Sequence, residues 1–485
     1  MPLRVLIIGA GVCGPAFATL LRRADPDMER YEITVVERAP KLRDTGLQID
    51  LRAQGIPVVR KMGLIDTIRK RAVPEHGVCF VDARGRPFAT FGKNDSGHGA
   101  QAMTSEYEIM RGDLVDVFYR ASLGLNPDPD PDHKRDDGED EDEEKKKKKR
   151  AKDVVSDSSS SSSSSNGNVR YEFGITVTDI SQPHSDSDSD AGVTVTFSDG
   201  RRTTYDLVVG ADGQSSRTRR AVLASSDASF RSLGLFTAYY LVPRGAEDDG
   251  WMKWHLMTGR RGVFTRSADG AKPTQVYLSV QTSRGTDAYG VASAVTKSSS
   301  SPSSSSAGTV GEQKEAFAAA FADQTTGWRI PALVDALRNR APDDDDDFYA
   351  TEIGQVRCEK LVSGRVVLLG DAGYCPSPIT GMGTTLSLTG AYILAGELAR
   401  HADGDVPAAL RAYEERVRPF VREAQKLAPG VPGILYAESA WGVWFVTTII
   451  SLVAKLKIID VLFRLMPEDK GGLKIPEYPE LKLDS

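Results

Sequence analysis

The chain has 485 residues, 40% of them hydrophobic, and a formal net charge of −6. This length is enough for two or three domains with a large core, and the modest negative charge gives no indication of a nucleic-acid-binding protein. The four cysteines form neither a CxxC pair nor a metal-ligand cluster, which predicts a reducing, cytoplasmic compartment. They are Cys13, Cys79, Cys358 and Cys375.

The N-terminal stretch up to Glu37 predicts a strand–turn–helix–strand unit. Residues 3–8 form a short apolar run typical of a buried strand, residues 15–23 read as a helix, and residues 32–36 form a second apolar strand. A turn with three glycines joins the first strand to the helix, and an acid closes the second strand. This order of elements is the dinucleotide-binding unit.

Each residue of this unit has a physical reason. Gly9 lets the chain turn sharply, and Gly11 removes a side chain where a pyrophosphate would approach the backbone. Gly14 allows the helix to pack closely on the strand, so that the helix N-terminus faces the phosphates. Glu37 can accept hydrogen bonds from ribose hydroxyls and would repel a 2′-phosphate, which favours FAD or NAD at this site.

Short elements follow this unit, and low-complexity inserts interrupt them. The segment 126–168 combines Pro-Asp repeats, an acidic block, a basic block and polyserine, and predicts a disordered loop. Residues 181–190, 298–306 and 343–347 predict solvated loops for the same reason. The remaining predictions are strands at 46–51, 78–81, 87–91, 169–178, 192–197, 205–210 and 365–369, helices at 52–64, 65–71, 312–323, 384–400 and 406–427, a strand end running into a helix at 108–118, and a mostly antiparallel sheet at 235–281.

A second cofactor signal lies far downstream. The strand at 365–369 runs into Gly370-Asp371, and Gly381-Met382-Gly383 then opens the next helix. The carboxylate can bind a sugar or ribityl hydroxyl, and the helix N-terminus can face an electron-rich ring edge. Two such sites at opposite ends of the chain indicate one long cofactor held by both, which FAD satisfies and NAD alone does not.

With these motifs the chain resembles the single-component FAD-dependent aromatic hydroxylases of the para-hydroxybenzoate hydroxylase class. The pattern is most similar to tetracycline-modifying and polyketide-tailoring flavin monooxygenases. Three motifs in the family's order carry the resemblance: Gly9-x-Gly11-x-x-Gly14, Asp212-Gly213, and Gly370-Asp371 with Gly381-x-Gly383. The sequence departs from the family at Gly373-Tyr374, where Ala-His is common, and at Thr384-Thr385, where Asn is usual.

The resemblance implies an α/β fold, with a Rossmann-like FAD-binding domain interleaved with an antiparallel-sheet substrate domain, plus a C-terminal helix. It divides the chain into FAD-binding parts (1–78, 105–225 and 351–428), substrate-domain parts (79–104 and 226–350) and a C-terminal helical segment (429–485).

The resemblance also implies roles for individual residues, and it leaves the catalytic residue unassigned because the cofactor carries the chemistry. By position, the expected cofactor contacts are Glu37 and Arg38 (adenosine), Arg111 (ribityl or pyrophosphate), Asp371 (ribityl), Asp212 and Gly213 (FAD and the nicotinamide donor), Asp50 (flavin) and Arg43 (nicotinamide phosphate).

The implied reaction uses NADPH or NADH to reduce FAD and O₂ to form a C4a-hydroperoxyflavin. One oxygen then passes to an aromatic or polyketide-like small molecule by hydroxylation, epoxidation or Baeyer–Villiger oxidation. The sheet at 235–281 is the expected substrate wall, with Tyr239, Tyr240 and Met257 as candidate lining residues.

Other interpretations stay open at this point. The same fold serves flavin-dependent halogenases and reductases, although Trp251-Met252-Lys253-Trp254 lacks the halogenase spacing. A non-catalytic flavoprotein that recruits partners through its low-complexity tracts is a third possibility. Residues 434–466 either form a helix that bridges the two domains or attach peripherally to a membrane, because the uncharged part is too short to span a bilayer. The chain is expected to be a monomer or homodimer.

Overall fold

The fold is built on two large sheets. The computed structural model describes residues 1–43, 46–93, 106–128, 163–182, 192–224, 228–267, 273–282, 286–299, 309–324, 327–339, 348–401, 404–456 and 473–483. The strands in these ranges are β1 Leu3–Ile8, β2 Tyr31–Glu37, β3 Gln48–Ile49, β4 Gly77–Val81, β5 Pro87–Gly92, β6 Ile109–Met110, β7 Ser163–Asn166, β8 Val169–Phe173, β9 Val177–Ser181, β10 Val193–Phe197, β11 Arg202–Tyr205, β12 Leu207–Gly210, β13 Ala228–Val242, β14 Trp251–Met257, β15 Arg261–Arg266, β16 Thr274–Gln281, β17 Tyr349–Cys358, β18 Val362–Ser363 and β19 Val366–Leu368.

Helices cover the sheets. The α-helices in the described ranges are α1 Cys13–Ala24, α2 Gly55–Lys61, α3 Ile65–Lys70, α4 Arg111–Leu123, α5 Arg217–Val222, α6 Val291–Ser299, α7 Val310–Ala320, α8 Ile330–Arg338, α9 Asp371–Tyr374, α10 Gly383–Arg400, α11 Val406–Ala424 and α12 Ala440–Lys455, with short 3₁₀ helices at Pro378–Thr380 and Pro479–Leu481.

The first sheet has the strand order β18-β19-β12-β1-β2-β8-β7 and is parallel except at its two edge pairs. Both faces of its central strands are buried. Val5 and Ile7 of β1 pack in the core that contains Phe17 of α1, whereas Leu6 and Ile8 pack against the small sheet β11-β10-β9. Burial on both sides explains why β1 is an almost unbroken apolar run.

The second sheet has the order β17-β13-β16-β15-β14-β4-β5, and its pairs are antiparallel apart from β14 with β4. The antiparallel sheet predicted at 235–281 is therefore confirmed. One of its faces packs on α6, α7 and α8, and the other faces a large cavity. A two-stranded ladder, β3 with β6, lies beside this cavity.

The α/β fold class is confirmed, and the chain alternates between the two sheets. The domain limits stay a prediction, although β17 pairs with β13 and so carries the second sheet across the limit expected at 350/351. The helices α6 and α8 were not predicted, since each is short and preceded or followed by loop-type sequence.

The low-complexity predictions fall mostly outside the described residues. The disorder predicted for 126–168 is wrong at its C-terminal end, because β7 pairs with β8 in an antiparallel hairpin. A polyserine backbone has the same hydrogen-bonding groups as any other backbone, so composition does not prevent this pairing. Residues 181 and 298–299 likewise end β9 and α6, whereas 183–190, 300–306 and 343–347 lie outside the described residues.

The C-terminal segment packs on the second sheet and on the helices of the first sheet. The helix α12 itself, which was predicted as part of a helix that bridges the two domains, packs on the second sheet. Val446, Ile450 and Val453 of α12 pack on the second sheet beside Phe88 and Trp254. The later residues 473–483 return to the first sheet's helices, where Tyr478 and Leu481 join the main core. Residues 457–466 of the predicted bridge lie outside the described residues. None of the helices in the described ranges is long and apolar enough to cross a membrane.

Candidate active site

The motifs found in the sequence meet at one edge of the first sheet. The glycine turn follows β1, Glu37 ends β2, Asp212 follows β12, and Asp371 is the third residue after β19. These four strands are parallel neighbours, so their carboxyl ends lie side by side. In open α/β sheets this edge is where ligands bind.

One continuous cavity of about 1580 Å³ runs from this edge to the second sheet. Gly11 and Glu37 line one end, Asp371 and Gly381 line the middle, and Tyr239 lies on the opposite wall. Sites for a single small ligand usually measure roughly 300–1,000 Å³. The cavity therefore has room for a long cofactor together with a second molecule, and both glycine motifs face it.

The glycine turn is shaped by close backbone contacts. Gly9 has φ +113°, and a Cβ atom there would lie 2.6 Å from the carbonyl oxygen of Ala211. A Cβ at Gly14 would lie only 2.1 Å from the carbonyl oxygen of Gly9, which is the tight helix–strand packing expected from the sequence. A Cβ at Gly11 would meet only the Arg111 Nη2 atom, at 3.3 Å, on the cavity wall.

Glu37 braces the turn as well as facing the cavity. Its Oε2 accepts a hydrogen bond from the Ala10 amide and its Oε1 accepts one from the Ala39 amide, both at 3.0 Å. Each carboxylate oxygen can accept a further hydrogen bond, so the expected ribose contact is compatible with this bracing. Arg38 and Arg43 are exposed and line the same end of the cavity.

Arg111 is placed among the acidic residues of the site. It begins α4, and the charges of Glu37 and Asp371 act on it from two directions. Burial lowers the pKa of Arg111. Burial raises the pKa of Asp371, whereas the Cys375 thiol and the charge of Arg111 act in the opposite direction and stabilise its carboxylate form. Burial and the neighbouring charge of Asp371 also raise the pKa of Cys13, which disfavours the reactive thiolate form.

Asp212 organises the neighbouring turn. Its Oδ2 accepts hydrogen bonds from the amides of Arg217 (2.8 Å) and Thr218 (3.0 Å) and from the Thr218 hydroxyl (3.1 Å). Gly213, with φ +78°, lines the cavity beside it. The carboxylate of Asp212 therefore holds the start of α5, and its expected cofactor role is one of positioning.

Arg219 is a residue that sequence reasoning missed. Its Nη1 donates to the carbonyl oxygen of Ala372 at 2.7 Å, and its Nη2 donates to that of Gln214 at 2.8 Å. It thereby ties the Asp212 turn to the Asp371 turn. Ala372 is 153 residues away in sequence, so no local motif could have marked this arginine.

The second glycine motif opens α10 toward the cavity. Gly381 has φ +64°, and Gly381 and Gly383 both line the cavity. Met382 instead packs against the main core. Of the two departures from the family pattern, Tyr374 is fully buried and hydrogen-bonded to Tyr413 at 3.0 Å, so it packs in the core.

The other departure connects α10 to the β3–α2 loop. The Thr385 hydroxyl donates to the Arg52 carbonyl oxygen at 2.7 Å and accepts from the Arg52 amide at 3.0 Å. The Arg52 side chain forms an ion pair with Asp50, and both side chains line the cavity. The predicted flavin-proximal aspartate is thus in the cavity with its charge balanced.

The second sheet supplies an aromatic wall. The rings of Tyr239 and Tyr349 stack at 4.6 Å between centroids, and those of Phe264 and Tyr277 stack at 4.0 Å. All four line the cavity, together with Trp254. The sequence analysis did not predict Trp254, Phe264, Tyr277 and Tyr349, because the sequence of a strand that is covered on both faces does not show which face meets a ligand.

Two predicted substrate residues do not reach the cavity. Tyr240 and Met257 lie on the opposite face of the second sheet, in the core formed with α6, α7 and α8. The Tyr240 hydroxyl donates to the Leu333 carbonyl oxygen at 2.9 Å. The prediction that they line the substrate space is wrong, since successive strand residues point to opposite faces and Tyr239 takes the cavity side.

A buried polar network closes the cavity where β3 and β6 meet the second sheet. The Arg266 guanidinium contacts Glu75 at 2.7 Å and Glu108 at 2.9 Å. Gln48 donates to Glu108 at 3.1 Å. Burial raises the pKa of Glu108, and the neighbouring charge of Glu75 adds to the rise although Arg266 opposes it. Two carboxylates thus share one guanidinium, and Arg266, Glu108 and Gln48 face the cavity.

The predicted site residues separate clearly by location. Those that line the common cavity are Gly9, Gly11, Glu37, Arg38, Arg43, Asp50, Arg111, Asp212, Gly213, Asp371, Gly381, Gly383 and Tyr239. Gly14 and Gly370 lie behind the cavity wall as packing glycines, since a Cβ at Gly370 would meet Ser387 Oγ at 2.9 Å. No cluster of metal-ligating side chains occurs among the described residues.

A parallel sheet with dinucleotide-type turns, sharing one large cavity with an aromatic antiparallel sheet, is the arrangement expected of a protein that binds a dinucleotide cofactor such as FAD. A sequence profile described as "FAD binding domain" matches residues 2–428. The chain belongs to this family and is an FAD-dependent monooxygenase.

The similarity to known proteins covers nearly the whole chain. FAD-dependent monooxygenase asL6 of Sarocladium schorii is 36% identical over 496 residues, covering 100% of each chain. Flavin-dependent monooxygenase eupH of Phoma sp is 33% identical and covers 98% of each. Among solved structures, the tetracycline destructase Tet(55) matches with a TM-score of 0.65 and 26% identity, over 98% of this chain and 99% of that one. These relatives favour a monooxygenase over a halogenase, a reductase or a non-catalytic flavoprotein.

Proposed function

We propose that this monooxygenase takes electrons from NADPH or NADH and transfers one oxygen atom of O₂ to an aromatic or polyketide-like small molecule. The observation that carries the proposal is the shared cavity. Its first wall presents Gly11, Glu37, Arg111 and Asp371, and its second wall is formed by stacked aromatic rings. A cofactor on the first wall and a flat substrate on the second would lie face to face.

The residues present fit an FAD molecule. Arg111 supplies a half-buried positive charge beside the open face of Gly11, where a pyrophosphate would lie. Glu37 would accept hydrogen bonds from the adenosine ribose, and Asp371 would accept them from the ribityl chain. When bound, FAD supplies the redox chemistry between NAD(P)H, O₂ and the substrate.

The second wall favours a planar, largely apolar substrate. The rings of Tyr239, Phe264, Tyr277 and Trp254 offer flat faces, and they exclude water from the space next to the cofactor wall. The tetracycline destructase named above acts, by its name, on tetracycline, and a molecule of that size fits a cavity of about 1580 Å³. Hydroxylation is the proposed reaction, with epoxidation or Baeyer–Villiger oxidation as alternative outcomes at the same oxygen-transfer step.

The test is an incubation with FAD, NADPH or NADH, ¹⁸O₂ and a panel of aromatic polyketides, read by mass spectrometry. The expected result is one ¹⁸O atom in a product and faster NAD(P)H oxidation when that substrate is present. A protein that keeps FAD but gives no labelled product with any member of a broad panel would contradict the proposal.

A matched pair of variants locates the substrate. Tyr239→Leu should raise the KM for the substrate without changing the FAD content, because Tyr239 faces the cavity on the substrate wall. Met257→Leu changes the opposite face of the same sheet and should alter neither quantity. Equal effects of the two variants would place the substrate elsewhere.

We also propose a cytoplasmic location, with the chain a monomer or homodimer. All four cysteines are free and buried, as in proteins of reducing compartments.

Peripheral contact with a membrane through α12 is a further proposal. The face of α12 that points away from the sheet exposes Trp441 (70%) and Trp444 (59%), with Phe445 and Leu452 beside them. Aromatic and aliphatic side chains on one face suit an interfacial helix.

A further inference from the structure

A second, smaller pocket lies on the surface behind the Asp371–Gly383 loop. It has a volume of about 400 Å³ and is formed by β13, β17, the last turn of α11 and the loop that follows. Four of its lining residues are basic, and none of the described residues that line it is acidic. The basic residues are Arg231, Arg357, Arg422 and Lys426. We call this site the basic pocket.

The fold brings these charges together from separate elements. Arg231 of β13 is directly opposite Gln355 of β17, and Arg357 lies two residues further along β17 on the same face. Arg422 lies in the last turn of α11, and Lys426 lies just after its end. Four positive charges therefore face one concave surface.

Most of these charges have no acidic partner. Lys426 pairs with Glu423 at 2.6 Å. Arg357 donates to the neutral amide oxygen of Gln355, at 2.8 Å from Nη2. Within the described ranges, no carboxylate forms an ion pair with Arg231, Arg357 or Arg422.

The dipole of helix α11 explains the position of only two of the four basic residues. Positive side chains are favourable at a helix C-terminus, which suits Arg422 and Lys426. The strand residues Arg231 and Arg357 gain nothing from that dipole. Their convergence with the helix charges is repulsive unless an anion is bound between them.

The basic pocket shares part of its wall with the large cavity of about 1580 Å³ described above. Val431 lines both spaces. Gln355 of the basic pocket donates from Nε2 to the carbonyl oxygen of Pro376 at 3.0 Å, and Pro376 lines the large cavity. A ligand in the basic pocket would thus lie one backbone layer from the cofactor wall.

We propose that the basic pocket binds a phosphate group. Arginine forks form paired, charge-assisted hydrogen bonds with phosphate oxygens, and three arginines are available. A pocket of about 400 Å³ accepts a phosphate with an attached sugar. The phosphate belongs either to the 2′ position of NADPH, a case that rests on the donor in the proposed function, or to a separate small phosphate compound.

The experiment measures binding of inorganic phosphate and of 2′-phosphoadenosine to the FAD-loaded protein by calorimetry in phosphate-free, low-salt buffer. In Arg231→Gln/Arg422→Gln, binding should weaken by about tenfold or more, because two charged hydrogen-bond donors are lost. Arg411→Gln is the control, since Arg411 is exposed on the same helix α11 and does not line the pocket. FAD absorbance confirms that each variant is folded.

Competition then identifies the source of the phosphate. If NADPH displaces the bound phosphate and NADH does not, and the KM for NADPH alone rises in the double variant, the 2′-phosphate of the donor occupies the pocket. If neither dinucleotide competes, a separate phosphate compound is the ligand. The proposal is overturned if the wild type does not bind either probe, or if Arg411→Gln weakens binding as much as the double variant. Binding is measured without turnover, so a failure of this phosphate proposal can be distinguished from a failure of the proposed monooxygenase reaction.

Discussion

Gly11 and Gly14 belong to one turn, but the structure predicts that alanine at each position fails in a different way. A Cβ at Gly14 would lie 2.1 Å from the Gly9 carbonyl oxygen and 3.2 Å from Ile7 Cγ2. A Cβ at Gly11 would meet only the tip of the Arg111 side chain, at 3.3 Å. The first neighbour is backbone and cannot move alone, whereas the second is the flexible end of a long side chain.

The expected magnitudes follow from these contacts. Gly14→Ala must push α1 away from β1, and overpacking of this kind costs about 3 kcal/mol. The reduced freedom of the unfolded alanine chain recovers less than about 1 kcal/mol of that. Gly11→Ala should change the free energy of unfolding by no more than about 1 kcal/mol. Its methyl group would instead occupy the wall where we place the FAD pyrophosphate, and should weaken FAD binding about tenfold or more, or roughly 1.4 kcal/mol.

The assay combines urea unfolding without added FAD and flavin retention after desalting. Gly14→Ala should show a lower unfolding midpoint even without FAD. Gly11→Ala should unfold near the wild-type midpoint but lose its flavin. The reasoning is refuted if Gly14→Ala unfolds at the wild-type midpoint, or if Gly11→Ala is as unstable as Gly14→Ala.

Three further predictions test other parts of the molecule. Asp371→Ala should abolish flavin retention, measured by absorbance after gel filtration, because it removes the half-buried acceptor proposed for the ribityl chain; full yellow colour would contradict this. Arg266→Met leaves Glu75 and Glu108 buried without their guanidinium and should cost about 3–5 kcal/mol in urea unfolding at about pH 8. The pKa of Glu108 in the folded state is already raised. As the pH falls toward about 5, the folded Arg266→Met protein should therefore bind a proton at Glu108 before the unfolded chain does, and should regain stability. Trp444→Ser should reduce co-sedimentation with anionic phospholipid vesicles without changing the unfolding midpoint, since Trp444 is largely exposed.

Each of these has a control or an outcome that would count against it. Tyr374→Phe changes a buried hydroxyl beside the Asp371 turn and should keep the flavin. Arg338→Met breaks an exposed ion pair with Glu315 and should cost little, with no gain in stability on acidification beyond that of the wild type. A cost for Arg266→Met that is independent of pH would show that the carboxylates do not take up a proton. Wild-type protein that fails to bind vesicles would end the membrane proposal.

The local parts of the cofactor site were predictable from sequence because their causes are local. β1 is apolar on both faces because both faces are covered, and Gly14 is required by the carbonyl oxygen of Gly9 within the same turn. The same holds for Asp371, which directly follows a buried strand. Each of these motifs follows a predicted strand, and the carboxyl ends of parallel strands meet at one edge, so the sequence indicated that the motifs would converge.

Residues that depend on distant partners could not be found in this way. Arg219 acts through the carbonyl oxygen of Ala372, and Arg266 reaches Glu75 across 191 positions of the chain. Each of these side chains looks like an ordinary polar residue in its own segment. Pairing of this kind depends on how the two sheets approach each other, which sequence periodicity does not record.

The sequence alone determined the class of fold, the cofactor type and the glycine and acidic residues that face the cofactor wall, because backbone geometry near a phosphate permits few residue types. Tertiary structure alone decided which face of the second sheet meets the substrate space. It turned Tyr239 inward and left Tyr240 and Met257 in the opposite core. Both faces of this sheet carry large apolar side chains, so only the packing of neighbouring elements distinguishes the binding wall from the core.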